Sequence, residues 1–122
     1  MTRVICAALA VAAISLAPAT TALSRSTATV TLRGTVGPGF AISLTRGRQR
    51  VTSLKAGTYK FVIADKASIH GFSLDGPHGF AKDMTPVRFV GTKSFTLNLK
   101  AGKYKFYCPA HEPTMFGHFT VK

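Results

Sequence analysis

An eight-residue block occurs twice in this chain and limits the folds that it can adopt. The block reads LKAGTYKF at Leu54–Phe61 and LKAGKYKF at Leu99–Phe106, with one difference. Each copy contains Leu-x-x-Gly-x-Tyr, the pattern of a tyrosine corner, in which the phenol hydroxyl bonds to backbone a few residues upstream. Such corners belong to Greek-key sandwiches, in which the chain passes between two sheets. We therefore predict structural roles for Tyr59 and Tyr104.

Alternation of apolar and polar residues dominates the chain between the turns. Period-two patterns of this kind predict half-buried strands, and no segment shows a helical stripe over three turns. The prediction is an all-β Greek-key β-sandwich. The apolar sets that we expect to share one strand face are Val30, Leu32 and Val36; Phe40, Ile42 and Leu44; Tyr59, Phe61 and Ile63; His70, Phe72 and Leu74; Phe95, Leu97 and Leu99; and Tyr104, Phe106 and Cys108.

The N-terminal segment has the composition of a secretory signal peptide. Arg3 precedes an apolar, Ala-rich run at Val4–Leu16, and small residues follow it. The run is shorter than the ~20 residues that a membrane-spanning helix needs. We predict a signal peptide over 1–22, cleaved after Ala19 or Ala22, a polar lead-in over 23–28 and one domain over 29–122. The expected location is therefore periplasmic or extracellular.

Loss of such a segment leaves one cysteine, because Cys6 lies within it. A single cysteine cannot form an internal disulfide, so Cys108 needs another explanation in an oxidising compartment, and a metal ligand is a good one. The formal net charge of +12 has two interpretations: attraction to an acidic partner, an anionic membrane or a cell-wall polymer, or solubility alone. Nucleic acid is not expected as a partner of an exported protein.

The residues after the second block include three candidate metal ligands. Cys108, His111 and Met115 form a Cys-x2-His-x3-Met loop stiffened by Pro109 and Pro113. His70 is the candidate fourth ligand because its expected strand face is the core face, as for Cys108. Two imidazoles, a thiolate and a weak thioether define a blue-copper site, since thiolate and thioether suit Cu(I) and imidazole suits both oxidation states.

Other interpretations of these residues are weaker. Cys108 alone fits a buried small hydrophobe. A Cys108–His111 nucleophile–base pair lacks an evident third residue to orient the base. Zinc binds Cys and His well, but Met is a poor zinc ligand and its placement favours copper. Of the remaining candidates, His78 and His118 are expected in solvent and Met84 in packing.

Several stretches resemble the cupredoxins, of the small plastocyanin-like bacterial type. They are DKASIHGF at 65–72, LKAGKYKFYC at 99–108, the Cys-x2-His-x3-Met loop and GHFTV at 117–121. The resemblance covers about Thr29 to Lys122 and implies one type 1 copper held by His70, Cys108, His111 and Met115. It also implies that His111 presents its ring edge to solvent. One residue departs from the pattern: many relatives have Asn after the first histidine, where this chain has Gly71.

The function expected from these features is single-electron transfer by Cu(II)/Cu(I) cycling, without enzymatic turnover. A monomer with a small apolar docking patch around His111 would meet a redox partner protein there, and surface Lys and Arg would speed encounter with an acidic one. The alternative is copper storage, delivery or detoxification with the same four residues. A noncatalytic sandwich that binds an anionic polymer is a third interpretation.

Overall fold

The computed structural model describes residues 12–24 and 27–122. Residues 12–24 are exposed and carry no regular secondary structure. Most of the predicted signal peptide, residues 1–11, and residues 25–26 of the predicted lead-in lie outside the described residues. No helix within the described ranges is long and apolar enough to cross a membrane.

Ten strands of the described chain form two five-stranded sheets that pack as a sandwich, which confirms the predicted fold class. Sheet I has the order β3-β2-β1-β5-β8, and sheet II has the order β4-β10-β9-β6-β7. β1 pairs with β5, and β4 with β10, in parallel; the other pairs are antiparallel. The strands are β1 Val30–Val36, β2 Ile42–Arg46, β3 Gln49–Arg50, β4 Ser53–Leu54, β5 Gly57–Asp65, β6 Phe72–Asp75, β7 Ala81–Thr85, β8 Gly91–Leu99, β9 Gly102–Tyr107 and β10 Phe116–Val121.

The core lies between the two sheets and is built by alternate residues of the strands. Sheet I contributes Leu32, Phe61 and Ile63, each fully buried, and sheet II contributes Phe72 and Leu74. The ring of Phe72 stacks on that of Phe106 with centroids 5.8 Å apart. Each such large side chain stabilises the fold by about 1.5–3 kcal/mol through burial, so the alternating pattern fixes which strand face meets the other sheet.

The repeated block forms two matching tyrosine corners, as predicted. The hydroxyl of Tyr59 donates to the Lys55 carbonyl at 2.7 Å, and that of Tyr104 donates to the Lys100 carbonyl at 2.9 Å. The first corner lies where the chain passes from β4 in sheet II to β5 in sheet I, and the second where it returns from β8 to β9. The two copies therefore fasten two of the crossings between the sheets, which run in opposite directions.

The prediction that Phe40 lies on a strand, on the same face as Ile42 and Leu44, is wrong. β2 begins at Ile42, and Phe40 lies in the preceding loop with 65% of its surface exposed. The Gly37 amide donates to the Ala41 carbonyl at 2.9 Å, and this turn keeps Phe40 out of the strand. Gly37 has a φ of 75°, a conformation that suits glycine at such a turn.

The predicted strands at His70 and Cys108 are each too long. β6 begins at Phe72 and β9 ends at Tyr107, so both residues lie in the adjoining turns. Their predicted burial is nevertheless observed, since both are fully buried.

Candidate metal centre

Two connections at one end of sheet II, β5–β6 and β9–β10, carry the four predicted ligands. His70 lies just before β6, Cys108 just after β9 and Met115 just before β10. β6 and β10 each pair antiparallel with β9, with Ser73 and Phe116 both opposite Tyr107. The start of both neighbouring strands therefore lies beside the end of β9, and this topology brings together residues that are distant in the sequence.

Backbone hydrogen bonds close the loop from Cys108 to Met115. The Cys108 amide donates to the Met115 carbonyl at 3.0 Å, and the Met115 amide donates to the His111 carbonyl at 2.9 Å. The His111 amide donates in turn to the Cys108 carbonyl at 3.1 Å. Cys108 and Met115 are buried, and His111 is half-buried. The loop is therefore a compact turn whose backbone fixes all three residues.

The donor atoms of His70, Cys108 and His111 converge. The two histidine Nδ1 atoms lie 3.1 Å apart, and the Cys108 Sγ lies 3.8 Å from that of His70 and 3.7 Å from that of His111. Imidazole nitrogens bind a first-row ion such as zinc at about 2.0–2.1 Å and thiolates at about 2.3 Å, so donors sharing one ion lie about 3–4 Å from one another. The spacing fits a shared metal ion, and with buried Met115 the four residues are arranged like a type 1 copper site.

Comparison with known proteins identifies the same architecture. No protein-family profile matches the chain, and no curated protein does. Among solved structures, reduced rusticyanin matches with 25% identity and a TM-score of 0.56, over 77% of this chain and 79% of that one. Auracyanin A, a blue copper protein of Chloroflexus aurantiacus, matches with 16% identity and a TM-score of 0.55, over 77% and 99%.

The chain has a cupredoxin-like fold. A second rusticyanin structure, described as a copper protein, agrees, with 23% identity, a TM-score of 0.57 and coverage of 77% of this chain and 78% of that one. The convergent His-Cys-His cluster lies within this cupredoxin fold at the end of the sandwich predicted for it.

Gly71 connects the first histidine of the candidate metal centre to the cysteine. Its amide donates to the Cys108 Sγ at 3.4 Å. Hydrogen bonds to a metal-binding sulfur tune the metal's potential.

The absence of the asparagine found in many relatives has a packing explanation. A Cβ atom at Gly71 would lie 2.7 Å from the Thr85 carbonyl oxygen and 3.2 Å from the Val87 amide nitrogen. The segment after β7 therefore occupies the space that a larger side chain needs. Thr85, fully buried, accepts a hydrogen bond from the Phe72 amide at 3.0 Å and so connects this segment to the start of β6.

His70 is held mainly by packing around its ring. Its Nε2 is buried and has no hydrogen-bond partner among the described residues. The backbone of Gly37 packs closely against the ring, since a Cβ there would lie 3.1 Å from its Cδ2. Gly37 thus allows the β1–β2 loop to approach His70, which faces the cluster through its other nitrogen.

Phe40 is the residue of this site that the sequence pattern missed. Its ring lies edge-on to both histidines, with centroid distances of 5.4 Å to His70 and 4.9 Å to His111. The residue belongs to a sheet I loop, whereas the histidines belong to sheet II connections, so Phe40 covers the cluster from the opposite sheet. The sequence offered one sign of this position, because Phe40 directly follows Gly-Pro-Gly, and these three residues favour a turn over a strand.

The two histidines and the methionine that were not predicted as metal ligands lie outside the cluster. His78 and His118 are exposed, and Met84 is buried in β7, as the sequence indicated. Phe116, at the start of β10, is 46% exposed and packs against His118 with ring centroids 5.5 Å apart. The buried Phe72–Phe106 stack is the apolar support at this end of the core.

Tyr107, which precedes the cysteine, forms part of the surface beside the site. Its hydroxyl donates to the Asp75 carboxylate at 3.3 Å. Burial, followed by the negative charge of Asp75, raises the pKa of Tyr107 above its ordinary value. Beyond it, Lys105 pairs with Glu112 of the loop at 2.6 Å, a surface ion pair of small energetic value.

Proposed function

We propose that this chain is an exported type 1 copper protein that carries single electrons, with His70, Cys108, His111 and Met115 as ligands. The observation that supports this most strongly is the convergence of two Nδ1 atoms and one Sγ within 3.1–3.8 Å. Two imidazoles, a thiolate and a weak axial thioether are the donor set of electron-transfer copper sites. Copper in this site would supply a one-electron couple.

The contribution of the protein is a rigid, dry set of donors. His70 and Cys108 have no exposed surface, and Met115 has 1%. The backbone bonds of the 108–115 loop and the Gly71 amide hold the sulfur in place independently of any metal. A preorganised site of this kind limits the rearrangement that accompanies a change in charge, which favours fast electron transfer over turnover of a substrate.

His111 is the proposed route for the electron because it is the most accessible of the four residues. It is half-buried, and its neighbours Pro109, Ala110 and Pro113 are exposed. Phe40, with 65% of its surface exposed, extends this apolar surface from the other sheet. A redox partner protein would dock here through a small, weak interface, and the net charge of +12 favours an acidic one.

Export is supported by the N-terminal sequence, in which Arg3 is followed by an apolar run and small residues. A single cysteine devoted to copper also suits an oxidising compartment. N-terminal sequencing of the protein secreted by an expressing bacterium tests this part, since we expect the mature chain to start after Ala19 or Ala22. An uncleaved cell-associated chain would contradict it.

Electrochemistry of the copper-loaded protein tests the proposed activity. We expect a reversible one-electron couple, with copper retained after repeated reduction and oxidation in the presence of a Cu(I) chelator. The matched control is His118→Ala, which changes an exposed histidine outside the cluster and should leave the couple unchanged. Irreversible reduction with loss of copper to the chelator would contradict electron transfer and favour storage or delivery.

A further inference from the structure

Charged side chains are distributed unequally between the two faces of the sandwich. The outer face of sheet I carries Arg33 on β1, Lys60 on β5 and Arg50 on β3, all exposed. Asp65 is the one acidic residue in the described strands of this sheet, and it is 2% exposed. The charged side chains on the outward face of the strands of sheet I are therefore all cationic.

The remaining carboxylates lie on the side of sheet II. Asp75 is on β6, Asp83 is on β7, and Glu112 is in the loop after β9. Each already has a partner: Tyr107 donates to Asp75, the Ser73 hydroxyl donates to Asp83 at 2.6 Å, and Lys105 pairs with Glu112. No carboxylate of the described chain therefore offsets the positive charge of the sheet I face locally.

Strand register spreads the three cations across the sheet. Arg33 of β1 lies opposite Thr45 of β2, and Thr45 in turn lies opposite Arg50 of β3. Lys60 of β5 lies between Thr31 of β1 and Thr96 of β8. At about 4.8 Å per strand the five strands span roughly 20 Å. Most other outward positions are Ser or Thr, and the large exposed apolar side chains of the described residues lie elsewhere.

We propose that the outer face of sheet I binds the surface of an anionic lipid bilayer through its phosphate head groups. The face presents cations spread over four adjacent strands among hydroxyl groups, which matches a surface of head groups better than a single polymer chain. Each Lys or Arg near such a surface is attracted to it, and the attraction falls within a Debye length. Without an exposed apolar anchor on this face, the binding is peripheral, reversible and sensitive to salt.

A molecule bound in this orientation leaves the candidate metal centre accessible. The value of that access to a redox partner rests on the proposed function. The predicted ligands are carried by connections of sheet II, whereas the cationic face belongs to sheet I. A molecule lying on its sheet I face would keep His111 and its apolar surroundings free for a partner protein. Binding to lipid itself needs no copper, so it can be tested separately from electron transfer.

The test compares two triple variants of the full chain that lose the same charge. Arg33→Gln, Lys60→Gln and Arg50→Gln are combined in one, and Lys100→Gln, Lys103→Gln and Lys122→Gln in the control. All six side chains are exposed, and the control positions lie on β9, the β8–β9 turn and the C-terminus. Both variants share the wild-type N-terminal segment, so any contribution from that segment cancels.

Binding is measured by co-sedimentation with vesicles of equal parts phosphatidylglycerol and phosphatidylcholine, at low and at physiological salt, with and without copper. We expect the sheet I variant to lose about 100-fold in affinity and the control only a few-fold, with equal unfolding midpoints. Equal losses in the two variants, or no binding of wild type at low salt, would overturn the proposal. Binding of wild type to polyphosphate but not to these vesicles would also overturn it, by assigning the face to a polymer.

Discussion

The Nδ1 atoms of His70 and His111 lie 3.1 Å apart although 41 residues separate them in the sequence. Each histidine is in a connection rather than a strand, and the pairing of β6 with β9 brings the two connections together. The cysteine sulfur completes the cluster from the residue that follows β9. The sheet therefore brings the site together, and the short connections supply its donor atoms.

The two tyrosine corners should stabilise the fold by similar amounts. In Tyr59→Phe and in Tyr104→Phe, the hydroxyl bond to a backbone carbonyl is lost while the ring stays in place. We expect each variant to reduce the free energy of unfolding by about 0.5–1.5 kcal/mol, measured by denaturant titration. Stability equal to that of wild type in both variants would contradict the structural role assigned to the repeat.

Removing Phe40 should alter the metal centre more than the fold. Because the side chain is 65% exposed, Phe40→Ala should cost less than about 1 kcal/mol of stability. The loss of its cover over both histidines admits water, which favours the more highly charged oxidised state and lowers the reduction potential. Electrochemistry checks this, with Val90→Ala, an exposed apolar residue, as the matched control. An unchanged potential in Phe40→Ala would contradict a shielding role.

Gly71 should not tolerate a side chain. The Cβ of Gly71→Ala would lie 2.7 Å from the Thr85 carbonyl oxygen, so the backbone must shift. We expect a loss of about 1–3 kcal/mol in unfolding free energy and a changed copper–thiolate absorption band, because the Gly71 amide also donates to the Cys108 sulfur. Gly39→Ala is the control, since its Cβ would meet nothing within 4 Å. Equal behaviour of the two variants would show that the contact at Gly71 is unimportant.

Alkaline pH should destabilise the protein through two tyrosines, Tyr104 and Tyr107, whose pKa is raised in the folded state. Burial raises the pKa of Tyr104 and Tyr107 above 10.0. Between the unfolded and the folded pKa, the unfolded chain releases protons that the folded protein keeps, so the free energy of unfolding falls as pH rises. The stabilisation is fully present below about pH 10. Denaturant titrations at several pH values should show a shallower decline for Tyr107→Phe than for wild type, and parallel declines would contradict the pKa shift of Tyr107.

The sequence predicts this fold well because its strongest signals are local. Alternation specifies which side of each strand is buried, and Leu-x-x-Gly-x-Tyr specifies the two corners within a few residues. The Cys108–Met115 loop is likewise contained in one short segment, so its donor residues are evident from spacing alone. His70 was found because its burial follows the same alternation, even though β6 begins two residues later.

The features that were not predicted depend on contacts between distant segments. Phe40 reaches the histidines only because the β1–β2 loop crosses from sheet I towards connections of sheet II. The fit of Gly71 against Thr85 depends on the path of the chain after β7. The separation of cations from carboxylates depends on strand order, which brings Arg33, Lys60 and Arg50 onto one face. None of these relationships follows from spacing in the sequence.

Titration of the purified metal-free protein with Cu(II), followed by visible absorption, tests the central proposal most directly. We predict an intense blue or green thiolate-to-copper band that saturates at one copper per chain. The band should be lost in Cys108→Ser and retained in His118→Ala, which removes an exposed histidine outside the cluster. A colourless wild-type protein, or a band that persists in Cys108→Ser, would contradict a type 1 copper site at His70, Cys108, His111 and Met115.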